Sequence, residues 1–207
     1  MNKKHPTIKN IIFDLGEVLL PLDFKRMHDA LTALGVEDAK NKLGEEKISR
    51  LFRQFEIGQV AAADIAAHVR ALSPRAPDDG AIFTAINAML LDFPAERIAH
   101  LHSIKGKYRL FLFSNTNALH HDHFHRIYER QFGGSLNNHF EKAYYSHHLG
   151  QRKPDVSAFM HVIKDAGVIP AETLFIDDVL ENTQGAAKAG LQTVYLTSGK
   201  TILDLGL

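Results

Sequence analysis

The feature that most constrains the fold is a set of five short runs rich in β-forming residues, separated by segments with helical periodicity. The runs span residues 8–14, 108–114, 142–146, 173–177 and 191–196. Three of them are almost continuously apolar, which is typical of parallel strands covered by helices on both faces. Strands that alternate with helices predict an α/β protein built on a Rossmann-like, doubly wound parallel sheet.

The connection between the first two strands is far longer than an ordinary crossover. The ends of these strands, Asp14 and Ser114, are 100 positions apart, and apolar residues recur at helical spacing through the interval. We expect residues 21–92 to form an inserted α-helical cap domain, and residues 1–20 and 93–207 to form the α/β core domain. Helices inserted there would lie above the strand ends, where they could close over a ligand.

The charge balance and the absence of cysteine exclude several classes of function. Lysine plus arginine equals aspartate plus glutamate at 24 each, so no basic surface for nucleic acid is indicated. Without cysteine the chain has neither disulfides nor thiolate metal sites. No apolar run reaches the length of a bilayer span, and the charged N-terminus has no signal-peptide pattern. We expect a cytoplasmic protein, monomeric or homodimeric, with no membrane or nucleic-acid partner.

Polar residues stand at the ends of the first, second and fourth runs. They are Asp14, Ser114 and the pair Asp177–Asp178. Each of the first two has an ordinary structural explanation as a turn or local backbone contact, but adjacent acids repel unless a cation compensates. The carboxyl ends of parallel strands meet at the ligand-binding edge of such a sheet. Lys153, just ahead of a helix, would by itself be an exposed surface lysine, so the signal lies in the order of these residues along the chain.

Five segments of the chain carry a resemblance to a known family. They read FDLGEVLL, FEIGQV, FSNTN, LGQRKPD and FIDDVLENTQGAAKAG. In this order they resemble the haloacid dehalogenase-like hydrolase superfamily with a helical cap of the first class, most of whose members are phosphatases. Within it they look like the subgroup that contains bacterial α-glucose-1-phosphate phosphatase. The resemblance implies Mg²⁺-dependent hydrolysis of a small phosphorylated metabolite, such as a sugar phosphate.

The resemblance also implies roles in catalysis and metal binding. Asp14 would be the nucleophile, whose carboxylate attacks phosphorus to form an aspartyl-phosphate. Its other oxygen, the carboxylate of Asp178 and the backbone carbonyl of Gly16 would bind Mg²⁺, a hard cation that prefers oxygen ligands. Lys153 would act with the nucleophile by offsetting the negative charge where a carboxylate meets a phosphate.

Further residues are expected to bind the phosphate and to support these groups. Ser114 and the backbone N–H of Asn115 would bind phosphoryl oxygens together with Lys153. Asp177 and Asn182 would orient the metal ligands and the lysine from the surrounding layer.

Gly16 departs from the family pattern. Most phosphatases of the superfamily carry aspartate at this place as a general acid and base, a contribution of typically ~10²–10⁴-fold. We favour a substrate with a good leaving group, such as an anomeric sugar phosphate. A substitute acid, with Glu17, His28 and Glu56 as candidates, and a catalytically weak phosphate-binding module are the alternatives. Metal-independent 2-haloacid dehalogenases also lack this aspartate, but they lack the acidic pair after the fourth strand too, which favours phosphoryl chemistry.

Histidine is concentrated in HHDHFHRIY, residues 120–128, and in the later pair His147–His148. On a helix, His121 and His125 would share one face and could bind zinc or nickel. No acidic or cysteine ligand is placed to complete a shell, so the sequence favours a solvated helix face.

Overall fold

The computed structural model describes residues 7–207, and its centre is a five-stranded parallel sheet. The strands are β1 (Asn10–Phe13), β2 (Arg109–Ser114), β3 (Lys142–Tyr145), β4 (Thr173–Asp177) and β5 (Gln192–Tyr195). Their order across the sheet is β3-β2-β1-β4-β5, and each neighbouring pair is parallel. The five predicted strands and the doubly wound class of fold are confirmed.

Ten α-helices occur in the described part of the chain. They are α1 (Phe24–Ala33), α2 (Ala39–Gly44), α3 (Glu46–Glu56), α4 (Ala62–Ala71), α5 (Asp79–Asn87), α6 (Ala95–Ile104), α7 (Ala118–Phe132), α8 (Ser146–Leu149), α9 (Val156–Ala166) and α10 (Leu180–Lys188). Short 3₁₀ helices span Leu136–His139, Pro170–Glu172 and Ile202–Leu205. Among residues 7–207, no helix combines the length and the apolar character needed to cross a membrane.

Helices cover both faces of the sheet because successive residues of β1 point to opposite sides. Ile11 and Phe13 belong to a buried cluster that includes Leu101 of α6 and Phe124 of α7. Ile12 belongs to a second buried cluster, formed with residues of α9 and α10. This burial on two sides explains the continuous apolar runs in the sequence. Polar groups can therefore gather only at the ends of the strands.

Helices α1 to α5 lie between β1 and α6 in sequence and share a third apolar cluster. Its fully buried members include Leu31, Ile65, Ala66, Ile82 and Ile86. Five helices therefore follow the first strand and pack on one another, while their assignment to a separate inserted cap domain stays a prediction. Its exact bounds, residues 21–92 between 1–20 and 93–207, stay a prediction, and residues 1–6 lie outside the described residues.

The chain leaves and re-enters the sheet region through two paired segments. Leu22 and Leu90 form an antiparallel bridge, and the N–H of Leu91 donates to the carbonyl of Pro21 at 3.2 Å. A further bond runs from the N–H of Asp23 to the carbonyl of Met89 at 2.8 Å. The two ends of the inserted helices are therefore held side by side above β1.

Candidate active site

Three carboxylates meet at the carboxyl ends of the two central strands. Asp14 follows β1, while Asp177 is the last residue of β4 and Asp178 comes directly after it. One carboxylate oxygen of each lies within 4.8 Å of the others. Asp14 and Asp177 are buried and Asp178 is half-buried. The convergence follows from the register, since Phe13 of β1 pairs with Ile176 of β4.

The amino group of Lys153 lies between two of these carboxylates. Its Nζ is 2.7 Å from Asp14 Oδ1 and 2.7 Å from Asp177 Oδ2, and its side chain is only 1% exposed. The rings of Phe113 and Phe175 lie 5.5 Å and 5.4 Å from the same nitrogen, in cation–π range. A lysine buried to this degree requires charged partners, and the two aspartates supply them.

The segment that carries Lys153 is fixed by Asn115. The Asn115 side chain donates to the Lys153 carbonyl oxygen and accepts from its N–H, both at 2.9 Å. On the other side α10 approaches closely: a Cβ added to Gly185 would lie 2.2 Å from the Pro154 carbonyl oxygen. The sequence predicted only a backbone role for Asn115 and none for Gly185, although the small residues of QGAAKAG were a signal for close packing.

The carboxylate of Asp177 accepts hydrogen bonds from residues just after β4, among them Asn182, which the sequence predicted to lie beside it. Asn182 Nδ2 lies 3.1 Å from both Asp177 oxygens, and the N–H of Val179 donates to Oδ1 at 2.8 Å. With the bond from Lys153, the Asp177 carboxylate accepts hydrogen bonds from three residues. Both oxygens of Asp177 are therefore already hydrogen-bonded, and the carboxylate orients the amino group of Lys153.

The electrostatics of the cluster favour a divalent cation. Three carboxylates and one ammonium leave a net charge of −2 when all are ionised. Burial raises the pKa of Asp14, with Asp177 acting in the same direction, while Lys153 opposes the shift. Burial and the charge of Asp177 also raise the pKa of Asp178, which has no ion pair within residues 7–207. An oxygen-rich cluster with uncompensated negative charge fits Mg²⁺.

Gly16 and Ser114 line the same cavity as Asn115, the first residue after β2. The Gly16 carbonyl accepts a hydrogen bond from the N–H of Val18 at 2.5 Å, so its role as a metal ligand stays a prediction. Ser114 is buried, and its hydroxyl makes only a 3.5 Å contact with the Asn115 carbonyl. This weak contact leaves the hydroxyl available to a ligand.

The loop after β2 leads into the N-terminus of α7, a 15-residue helix. Asn117 caps this helix, since its side chain accepts from the N–H of His120 at 3.0 Å. Thr116 is fixed by Ser146, whose hydroxyl donates to its carbonyl and accepts from its N–H at 2.9 Å. A rigid loop at the N-terminus of a long helix favours the binding of an anion.

A cavity of about 500 Å³ opens between these loops and the inserted helices. On the side of the sheet it is lined by Leu15, Gly16, Ser114–Asn117, His120, Phe124 and Arg152. The inserted helices and their linkers add mainly apolar side chains, among them Leu22, Phe24, Met27, Leu43, Phe52 and Met89. A ligand would therefore meet polar groups at one end and apolar groups at the other.

An ion pair between Glu56 and Arg152 joins α3 to the loop before Lys153. Two Arg152 nitrogens lie 3.0 Å and 2.9 Å from Glu56 Oε2, and both residues line the cavity. A second contact is close by, because a Cβ on Gly58 would lie 2.5 Å from the carbonyl oxygen of His147. No sequence pattern indicated this junction.

The three candidates for a substitute acid are placed differently. Glu56 lines the cavity, and burial raises its pKa while Arg152 opposes the shift. Glu17 is turned toward the linker, where its carboxylate accepts from the N–H of Leu22 at 2.9 Å. His28 is not among the residues that line the cavity. Of the three, the geometry favours only Glu56.

Comparisons with known proteins show the family of the chain. A family model described as haloacid dehalogenase-like hydrolase matches residues 8–190. The chain is 29% identical to D-ribitol-5-phosphate phosphatase of Bacteroides thetaiotaomicron over 93% of each protein. It is 28% identical to the sesquiterpene phosphatase astK of Aspergillus oryzae over 92% of this chain and 91% of the relative.

A solved structure is similar over the whole fold. It is a HAD family enzyme of Bacteroides thetaiotaomicron, wild type, in complex with magnesium and inorganic phosphate. The TM-score is 0.86 at 30% identity, and the match covers 96% of this chain and 98% of that one.

Proposed function

The chain belongs to the haloacid dehalogenase-like hydrolase family, and we propose that it is a Mg²⁺-dependent phosphatase that hydrolyses a small phosphate monoester of the sugar-phosphate class. The observation that carries the proposal is the position of Lys153 between Asp14 and Asp177, with Asp178 beside them. The magnesium and phosphate complex of the similar HAD enzyme supports the choice of metal and of phosphoryl chemistry.

In the proposed reaction Asp14 is the nucleophile. One carboxylate oxygen attacks phosphorus, the bond from phosphorus to the leaving oxygen breaks, and an aspartyl-phosphate forms on Asp14. Water then attacks the phosphorus of this acyl phosphate, the bond from phosphorus to the Asp14 oxygen breaks, and inorganic phosphate leaves while the carboxylate is restored. Lys153 keeps Asp14 oriented through its 2.7 Å contact and offsets charge as the phosphate approaches. The Ser114 hydroxyl and the N–H of Asn115 bind phosphoryl oxygens.

The metal would be held by Asp14, Asp178 and the Gly16 carbonyl. When bound, Mg²⁺ would supply positive charge that lowers the repulsion between the carboxylates and the phosphate. Asp177 serves Lys153 instead, because its two oxygens already accept from Lys153, Asn182 and Val179. This division would give each of the two adjacent acids at the end of β4 its own task.

The absence of an acid at position 16 bears on the substrate. Gly16 has no side chain that could donate a proton, and the nearest atom to a Cβ built there is Leu22 Cδ1 at 3.1 Å, the end of a flexible side chain. We therefore expect a leaving group that needs little protonation, such as the anomeric oxygen of a sugar phosphate. Glu56 is the alternative proton donor, since it lines the same cavity.

Turnover of a panel of phosphate monoesters, measured by phosphate release, tests the proposal. The panel would contain α-glucose 1-phosphate, D-ribitol 5-phosphate and p-nitrophenyl phosphate, each with Mg²⁺ and again with EDTA. We expect Mg²⁺-dependent release that is abolished in Asp14→Asn, a variant whose folding is checked by circular dichroism. Release of halide from 2-haloacids without metal would instead identify a dehalogenase. Tight binding of one panel compound without turnover would identify a binding module.

A further inference from the structure

Three histidines from two helices meet outside the carboxylate cluster. They are His121 of α7 and the adjacent pair His147 and His148 of α8. One ring nitrogen of each lies within 4.8 Å of the others. The ring centres of His121 are 5.1 Å and 5.2 Å from those of the pair, which are 4.0 Å apart. The fold therefore brings together imidazoles that are distant in sequence.

The hydrogen bonding of two of these rings is compatible with metal binding. His121 Nδ1 lies 3.3 Å from Asp122 Oδ1, which leaves Nε2 for another partner. Histidines that bind metals commonly donate their second nitrogen to a carboxylate in this way. His147 Nδ1 is buried and has no hydrogen-bond partner among the described residues. A buried nitrogen without a partner requires an explanation, and a bound ion provides one.

The cluster is open to solvent on one side, while two of its rings are half-buried. His148 is exposed, which gives an ion access from solvent.

The sequence paired His125 with His121 as possible metal ligands, but in the structure His125 contacts Tyr145 instead. Its ring centre lies 4.5 Å from that of His121, so the two share a helix face as expected. Its Nε2, however, lies 3.3 Å from the hydroxyl of Tyr145, and the Tyr145 ring also packs against His121 at 4.7 Å. This face of α7 is packed against β3 and α8 rather than solvated. The partners of His121 are the histidines of α8.

We propose that His121, His147 and His148 form a second metal site, which binds Zn²⁺ and ties α7 to α8. Imidazole nitrogens suit zinc, whereas the oxygen cluster at Asp14 suits magnesium, so the two sites differ in the ions they select. Since the backbone of His147 packs against Gly58, the bound ion would also steady the junction with the inserted helices.

Zinc titration of the untagged full chain tests the site. The protein is first freed of metal with a chelator and then kept in excess Mg²⁺, so that the carboxylate cluster does not compete for zinc. We expect one Zn²⁺ per chain by calorimetry, and a rise in the melting temperature of roughly 5–10 °C at a zinc concentration about 100 times the dissociation constant.

Two variants remove ligands, and one serves as a matched control. His148→Ala changes an exposed residue, and His121→Ala removes the ligand on α7; each should weaken zinc binding at least tenfold and reduce the rise in melting temperature to about half or less at the same zinc concentration. His102→Ala removes an exposed histidine of α6 outside the cluster and should bind zinc as the unmodified chain does. Absence of zinc binding by the unmodified chain, or unchanged affinity in His148→Ala, would overturn the proposal.

Discussion

The side chain of Asn115 binds the backbone of Lys153 on both sides, donating to its carbonyl oxygen and accepting from its N–H at 2.9 Å. Asn115 thus connects the loop after β2 to the buried lysine that contacts the proposed nucleophile. The same residue is expected to use its own backbone N–H for phosphate. A side-chain substitution separates these two roles, because the backbone N–H remains.

Asn115→Ala should therefore lower activity by misplacing Lys153. We expect kcat/KM to fall about 10- to 100-fold, which corresponds to roughly 1–3 kcal/mol for two lost hydrogen bonds to a buried backbone. Steady-state kinetics with Mg²⁺ and a urea unfolding curve provide the measurement. Unchanged kcat/KM in a folded variant would contradict the positioning role.

Gly185→Ala tests the close contact on the other side of this segment. The added Cβ would lie 2.2 Å from the backbone oxygen of Pro154, so the helix or the loop must move. Overpacking typically costs about 1–3 kcal/mol, and we expect this loss together with reduced turnover. Gly44→Ala is the matched control, since a Cβ there meets nothing within 4 Å. It should leave stability unchanged or raise it by about 0.5–1 kcal/mol.

Asp178→Asn should weaken the binding of Mg²⁺. Asp178 has no ion pair within residues 7–207, so the substitution removes a negative ligand without leaving a charged partner unpaired. We expect the Mg²⁺ concentration for half-maximal activity to rise at least tenfold, with stability in EDTA equal to or above that of the unmodified chain. Titration of activity with Mg²⁺ measures the first effect and thermal unfolding the second. An unshifted Mg²⁺ titration would remove Asp178 from the metal site.

Gly16→Asp introduces the proton donor that the family pattern places here. Leu22 Cδ1, at 3.1 Å from the added Cβ, is the end of a flexible side chain and can move aside. The gain should be selective: turnover of an alkyl phosphate should rise by up to about 10²-fold relative to p-nitrophenyl phosphate, whose leaving group needs no proton. Gly16→Asn is the control of equal shape without an acid. If the ratio of alkyl phosphate turnover to p-nitrophenyl phosphate turnover were the same in Gly16→Asp and Gly16→Asn, the new carboxyl group would not act as a proton donor.

Glu56→Gln should change how stability depends on pH. Burial raises the folded-state pKa of Glu56 above its usual 4.5. The protonated carboxyl is thus favoured by the fold, and the stability it contributes is present below pH 4.5 and lost as the pH rises through the folded-state pKa. Glutamine resembles the protonated form.

Urea unfolding at pH 4 and pH 8 measures this effect. The variant should match the unmodified chain at pH 4 and exceed it in stability at pH 8. If the variant were less stable at pH 8, the ion pair with Arg152 would outweigh the cost of burial.

The sheet and the order of its polar ends could be predicted because they depend on local composition. Runs rich in β-forming residues, three of them almost continuously apolar, marked the five strands, and the carboxyl ends of parallel strands lie along one edge of a sheet. Helices α2 and α8 were not predicted, since six and four residues are too short to show a helical period. The pairing of His121 with α8 was missed for the same reason.

The burial and the contacts of the individual site residues could not be predicted from local composition. The burial of Lys153 depends on carboxylates of β1 and β4, which the sequence separates by more than a hundred residues. The junction of Glu56 with Arg152 depends on how the inserted helices pack, which no periodicity specifies.

The bridge between Leu22 and Leu90 has an evolutionary consequence. Because both ends of the insertion emerge as neighbours, helices α2 to α4 can lengthen, shorten or be exchanged without shifting the strands beneath them. Selection could in this way change the apolar part of the cavity and leave the carboxylate cluster around Asp14 unaltered. A chimaera that joins this sheet to the helices of another protein at these two leucines would take its substrate preference from the protein that supplied the helices.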